Sequence, residues 1–118
     1  MADYLVDLRD IKFVLFDQIG MEELLSREAY EDFDVDDVVA MLEEGVKYAK
    51  DIFFPLSAEG DKIGAQWDAG KVTLPPGTKE AWDMMVENEL IGMSMNPEFG
   101  GMGLPESVFT AISDVFVG

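Results

Sequence analysis

The chain has 118 residues, enough for one domain with a hydrophobic core, and its apolar fraction of 48% argues against intrinsic disorder. Its formal net charge of −17, from 25 acidic and eight basic residues, disfavours binding to nucleic acid or to an anionic membrane surface. There is no Cys and no His, which excludes disulfides, thiolate chemistry and imidazole as a general base or metal ligand. Without a basic leader or an apolar run of membrane length, the sequence predicts a soluble, cytoplasmic protein.

The first part of the chain predicts two short helices after an extended start over residues 1–9. Asp10 is a suitable N-cap for a helix that ends at Gly20, because Asp accepts hydrogen bonds from free amides and Gly favours a left-handed stop. A second helical turn is expected over 21–26, before the acidic segment 28–34. The apolar stripe of the first helix would comprise Ile11, Val14, Leu15 and Ile19.

The strongest helical pattern covers residues 35–54. Apolar side chains recur there at spacings of three and four, as on the buried face of a helix. Asp34 is the expected N-cap, and Pro55 is expected to end the helix because proline removes a donor and clashes with the preceding turn. The predicted stripe comprises Val35, Val38, Val39, Leu42, Val46, Ala49 and Phe53.

Periodicity is lost after that helix, and a hairpin over 66–74 is predicted around the tripeptide Asp-Ala-Gly. Thr78 is the expected N-cap of a further helix that reaches about Glu89. The two tryptophans, Trp67 and Trp82, are interpreted as anchors of the core and loop rather than as a ligand cage. The apolar stripe of this helix would comprise Trp82, Met85, Val86 and Leu90.

A last helix is expected after a loop over 88–103, because Pro105 is well suited to a first helical turn. Its predicted buried stripe comprises Val108, Phe109, Ile112, Val115 and Phe116. The fold class that follows is all-α, with one small β-hairpin near 66–74, in a single domain over 1–118.

An acidic segment offers one pattern that resembles a calcium site. Asp32, Asp34, Asp36 and Glu43 match positions 1, 3, 5 and 12 of an EF-hand loop. The glycine that such a loop needs at position 6 is replaced by Asp37, and the segment reads as continuous helix. In a chain this rich in acids the spacing is expected by chance, so no metal site is assigned.

The glycines Gly100, Gly101 and Gly103 could suggest a phosphate cradle. The P-loop pattern needs a following Gly-Lys-Ser/Thr, and the dinucleotide pattern needs a preceding strand and a third glycine where Glu106 stands. A turn that needs positive φ and close backbone approach is the preferred interpretation. Paired acids such as Glu43 and Glu44 are interpreted as solvated helix residues.

Four segments, in order along the chain, resemble a long-form branch of the acyl-CoA dehydrogenases. That branch includes methylthiopropanoyl-CoA dehydrogenase-like proteins, and the resemblance covers nearly the whole chain. The segments are L-R-D-I-K-F-V-L at 8–15, A-K-D-I-F-F-P-L at 49–56, V-T-L-P-P-G-T-K-E-A at 72–81 and M-N-P-E-F-G-G-M-G-L-P at 95–105.

The resemblance implies the N-terminal helical domain of a flavoenzyme, truncated before the FAD-binding β-domain. In the family, FAD lies mainly between the β-domain and a C-terminal helical domain, whose catalytic Glu removes the α-proton while hydride leaves the β-carbon. Those residues have no counterpart here, so no catalytic or cofactor-binding residue is assigned. The N-terminal domain supplies part of the acyl-pocket wall. Asp114, where many relatives carry Glu, is the candidate substrate-binding residue.

By the same resemblance, the expected partners are the remaining domains of the parent enzyme and its acyl-CoA substrate, and the chain alone is expected to be inactive. The last helix is expected to expose its apolar stripe, which predicts a homo-dimer through that helix. Two other interpretations stay open. One is a stand-alone acidic helical module for binding or assembly, and the other is an unrelated acidic helical protein linked to calcium.

Overall fold

The computed structural model describes Tyr4 and residues 6–117, so residues 1–3 and 5 of the predicted extended start lie outside the described residues, and Leu8 and Arg9 are already helical. Within this part there are six α-helices and one two-stranded hairpin, which confirms the all-α class with a small hairpin. The elements are α1 (Leu8–Lys12), extended by a π-helical turn (Phe13–Gln18), α2 (Met21–Leu25), α3 (Val35–Tyr48), a second π-helical turn (Ala49–Phe53), α4 (Phe54–Ile63), β1 (Gln66–Asp68), β2 (Lys71–Thr73), α5 (Thr78–Glu87) and α6 (Glu106–Val117).

The N-cap of the first helix lies three residues before Asp10, the predicted cap. Asp7 is the N-cap, and its side chain accepts a hydrogen bond from the Arg9 amide at 3.0 Å. Both aspartates can cap, but only Asp7 has the extended backbone that a cap requires. Gly20, in the left-handed conformation at φ 75°, ends the helical segment as predicted.

The longest helix starts as predicted but does not stop at Pro55. Asp34 accepts a hydrogen bond from the Asp37 amide at 2.8 Å, and Asp37 accepts one from the Asp34 amide at 2.9 Å, which completes a capping box. At its far end the chain widens into a π-helical turn, where the Phe54 amide bonds to the Ala49 carbonyl. Pro55 then lies in the first turn of α4, where its missing N–H is tolerated, so helix continues to Ile63.

The hairpin forms at the predicted place. Trp67 faces Val72 across the antiparallel pair, and the connecting residues Ala69 and Gly70 have φ of 47° and 83°. Positive φ at both central positions is the geometry that matches strand twist in a two-residue turn. Every strand residue is exposed.

Helix α5 differs from its prediction at the cap and on its apolar face. Gly77, at φ 87°, precedes the helix, and Thr78 is its first residue and makes no side-chain cap. Trp82 is 57% exposed and Trp67 is 73% exposed, so the prediction that both anchor the core is wrong. The buried residue of α5 is Ala81, one position before Trp82, and it adjoins Pro55 and Leu56 at the start of α4.

The core forms where α1, α2 and α6 pack around α3. Val108, Ile112 and Val115 of α6 are buried, and Ile112 lies against Gly45, which has no side chain to hold the helices apart. Phe116 meets Phe53 edge to face, with ring centroids 5.1 Å apart. The expectation that the stripe of the last helix is exposed is therefore wrong, since α3 and the π-helical turn after it cover that face.

The molecule is flat, with extents of 53 × 37 × 17 Å. Its shortest dimension is only moderately larger than the diameter of one helix with its side chains, about 10–12 Å. None of the helices in the described part is both long and apolar enough to cross a bilayer.

Candidate functional site

The candidate site is an open groove of about 560 Å³ between the first helical segment and α6. Both elements pack on α3, which sets their spacing and leaves the groove between them. The groove is formed by residues about 100 positions apart in the chain. Its lining comprises Asp10, Ile11, Val14, Leu15, Ile19, Ser107, Thr110, Ala111 and Asp114.

The lining of this groove is apolar with a polar edge. The side from the first helical segment supplies aliphatic side chains, of which Val14 and Ile19 are exposed. The side from α6 supplies Ser107, Thr110 and Asp114, which follow one another at spacings of three and four and so share a helix face. An aliphatic chain with hydrogen-bonding groups along one side suits such a surface.

Asp114, the residue expected from the resemblance, lies on the α6 edge of this groove and is exposed. The pKa of Tyr4 is raised above its ordinary value, mainly by burial and to a smaller extent by the negative charge of the Asp114 carboxylate. The Tyr4 hydroxyl donates a hydrogen bond to the Val115 carbonyl, and its ring lies 5.6 Å from that of Phe54. Tyr4 thus ties the start of the chain to the end of α6 beside the groove.

Among the described residues that line the groove there is no lysine or arginine, whereas Asp10 and Asp114 are present. A pyrophosphate or nucleotide phosphate would meet two carboxylates and no cation there, so the donor set does not fit FAD or the phosphates of coenzyme A. The apolar part of an acyl group meets no such conflict.

The glycine-rich run forms a closed turn and not a phosphate cradle. The amides of Gly103 and Leu104 donate to the carbonyls of Met95 and Met93, at 3.0 and 2.9 Å. The amides of residues 100–102 likewise bond to backbone carbonyls within 92–97, so none of these donors is left for an anion. A Cβ at Gly101 would overlap the Met95 carbonyl, which explains the glycine by close backbone approach.

Two of the acidic residues that matched an EF-hand loop, Asp34 and Glu43, have other roles. Asp34 and Asp37 cap α3, and Glu43 pairs with Lys12 of α1 at 3.3 Å. Within the part of the chain that the structure describes, no three carboxylates gather into a metal-binding group. Glu43 and Glu44 are exposed, as are Glu22 and Glu23, in keeping with solvated helix residues.

Sequence reasoning missed Tyr4, Ser107 and Thr110. The signal for the last two was present, because they occupy one α6 face with Asp114, opposite the buried stripe. Nothing local marks Tyr4, whose partners lie some 50 and 110 positions further along the chain.

Comparison with known proteins identifies relatives that are much longer than this chain. It is 34% identical over 112 residues to the 3-methylmercaptopropionyl-CoA dehydrogenase of Ruegeria pomeroyi, a match that covers 95% of the chain and 19% of that relative. It is 34% identical over 89 residues to a butyryl-CoA dehydrogenase of Syntrophomonas wolfei, with 72% of the chain and 15% of the relative covered. The broad-specificity linear acyl-CoA dehydrogenase of Mycobacterium tuberculosis is 28% identical over 120 residues, with 100% and 20% covered. No family model matches the chain.

Proposed function

We propose, since this chain belongs to the acyl-CoA dehydrogenase family, that it forms the N-terminal helical domain of an FAD-dependent enzyme that desaturates an acyl-CoA thioester. The observation that carries this proposal is a similarity that extends over 95% of the chain but only 19% of the relative. Flavin binding and the catalytic base would then belong to the remaining domains. The domain alone is inactive in this proposal.

The shape of the molecule supports a domain that packs against others. Its accessible surface is 8209 Å², against about 6,400 Å² for a folded monomer of this mass. Its radius of gyration is 16.6 Å, against about 13.5 Å for a compact chain of this length. A thin layer of helices with this much surplus surface suits a wall between other layers.

Within that enzyme, the groove between α1 and α6 would form part of the acyl-pocket wall, with Asp114 at its edge. The aliphatic lining from Val14 and Ile19 suits an acyl chain. In this proposal the phosphates of coenzyme A and FAD bind outside this groove, in keeping with the carboxylates of Asp10 and Asp114 that line it. In this proposal Asp114 contacts the substrate side of the wall and takes no part in proton or hydride transfer.

A chimera tests the domain assignment. The segment of the Ruegeria pomeroyi dehydrogenase that matches this chain is replaced by this chain, and flavin content and turnover of 3-methylmercaptopropionyl-CoA are measured. We expect a yellow, active chimera, and no bound flavin or turnover for the chain alone. A folded chimera that lacks activity would favour a stand-alone binding module, and turnover by the chain alone would contradict the proposed inactivity.

The role of Asp114 is tested in the same chimera by Asp114→Asn, with Glu106→Gln as the matched control on the same helix outside the groove. A wall residue acts on binding and not on chemistry, so we expect KM to rise about threefold or more while kcat is unchanged. Equal KM values for both variants would contradict the proposed role of Asp114 in the acyl pocket but would not affect the domain assignment.

A further inference from the structure

A second concave surface lies on the first helical segment, away from the α1–α6 groove. It encloses about 440 Å³ and is lined by Arg9, Lys12, Phe13, Phe16 and Asp17. These positions are separated by three, one, three and one residues, which is the stripe that one helix presents to another helix. We call this stripe the Phe13 face.

The Phe13 face has two phenylalanines near its centre and an opposite charge at each end. Phe13 is 52% exposed at its centre, although an aromatic ring of this size normally finds a partner. Arg9 stands four residues before it and Asp17 four residues after it. The Lys12 ammonium is already paired with Glu43, whereas neither Arg9 nor Asp17 forms a salt bridge within the described residues.

This charge arrangement is self-complementary under a two-fold axis. When two such helices pack antiparallel with their Phe13 residues in contact, a residue a given number of positions before Phe13 in one copy faces the residue the same number of positions after Phe13 in the other. Arg9 then faces Asp17 of the second copy, and Asp17 faces its Arg9. An isologous dimer of this kind forms two ion pairs around a central aromatic contact.

We propose that the Phe13 face binds a second copy of this chain as an antiparallel helix pair. The proposed dimer surface is the Phe13 face and not the last helix expected from the sequence, because α3 covers the apolar stripe of α6. One helix stripe buries far less than the ~800 Å² per partner of a standard interface, and each copy carries a net charge of −17. The dimer is therefore weak, with a Kd on the order of 10⁻⁴ M.

Charge exchange tests this pairing by sedimentation equilibrium of the chain up to about ten times that Kd. Arg9→Asp and Asp17→Arg should each weaken association at least tenfold, since each places two like charges in contact at both ends of the pair. An equimolar mixture of the two variants should restore it, because each copy then supplies the charge that faces its counterpart. The control variants Arg27→Asp and Asp61→Arg make the same changes of net charge at exposed residues elsewhere, and they should leave the association constant unchanged.

Both test positions tolerate the change in the monomer, since an acid near a helix start and a base near its end suit the helix dipole. Circular dichroism of each variant checks that the monomer is intact. A chain that stays monomeric at the highest concentration would overturn the proposal. So would a dimer that neither single variant weakens, or a mixture that associates no better than the separate variants.

Discussion

Two regions of this molecule differ in how much they contribute to the hydrophobic core, although both expose large apolar side chains. The closed region, made of α1, α2, α3, the loop 88–105 and α6, contains nearly all the buried hydrophobic side chains. The open region, residues 54–87, contributes only Ala81 to them among the described residues. It exposes Ile63, Trp67, Val72, Leu74, Trp82 and Val86.

The difference shows what an apolar pattern does and does not predict. In α6 and in α5 the sequence has a comparable amphipathic stripe. In α6 the stripe is covered because α3 lies beside it, with Gly45 allowing close approach. Helix α5 adjoins α4 and the π-helical turn before it, and these neighbours leave Trp82 and Val86 exposed. Periodicity identifies a face suited to burial, and the surrounding elements decide whether this chain buries it.

The sharpest test of the comparison places the same charge in each region. Ile112→Asp buries an unpaired carboxylate against α3 and should cost about 4–5 kcal/mol, a large part of the roughly 5–15 kcal/mol that stabilises a typical domain. Val86→Asp adds a charge to an exposed position and should change the free energy of unfolding by less than about 0.5 kcal/mol. Urea denaturation followed by circular dichroism measures both, and equal losses would contradict the division into regions.

Sequence reasoning succeeded where the determinants were local. The Asp34 cap, the α3 periodicity and the Asp-Ala-Gly turn depend on neighbouring residues, and the structure has all three. It failed at Pro55 because a π-helical turn moves the proline into a permitted position, which no local pattern indicates. The groove itself was not predicted, because Val14 and Asp114 are brought together only by the packing of α1 and α6 on α3.

Glycine substitutions compare the two regions at the level of the backbone. Gly101→Ala in the closed region puts a methyl group into the Met95 backbone, which cannot move freely, and should cost about 2–3 kcal/mol. Gly70→Ala in the open region meets no other atom and costs only the strain of positive φ, about 1 kcal/mol. Thermal melting of the two variants provides the measurement. A larger loss for Gly70→Ala would mean that the hairpin is more tightly coupled to the core than its exposure indicates.

Helix starts give a smaller contrast. Asp34→Ala removes one half of the capping box of α3 and should destabilise the fold by about 1 kcal/mol. Thr78→Ala removes a hydroxyl that caps nothing at the start of α5 and should change stability by no more than a few tenths of a kcal/mol. Denaturant midpoints at constant slope distinguish the two, and a matching loss at Thr78 would restore it as a cap.

The smallest expected contrast concerns the border of the two regions, where the Tyr4 ring contacts Phe54 and the Tyr4 hydroxyl donates a hydrogen bond to the Val115 carbonyl. Tyr4→Phe keeps the ring but loses the hydrogen bond, at a cost of about 0.5–1 kcal/mol at neutral pH. Because burial and the Asp114 charge raise the pKa of folded Tyr4 above 10.0, its protonated form is favoured by folding. That stability is complete below pH 10.0 and is lost as the pH rises through the folded pKa.

As the pH rises above 10.0, the free energy of unfolding of the native chain should therefore fall by more than that of Tyr4→Phe, so that the two values converge. Tyr30→Phe controls for the removal of one phenol. If Tyr30→Phe converges on the native chain in the same way, the alkaline loss comes from general repulsion in a chain of net charge −17, and the tie between Tyr4 and α6 makes no measurable contribution.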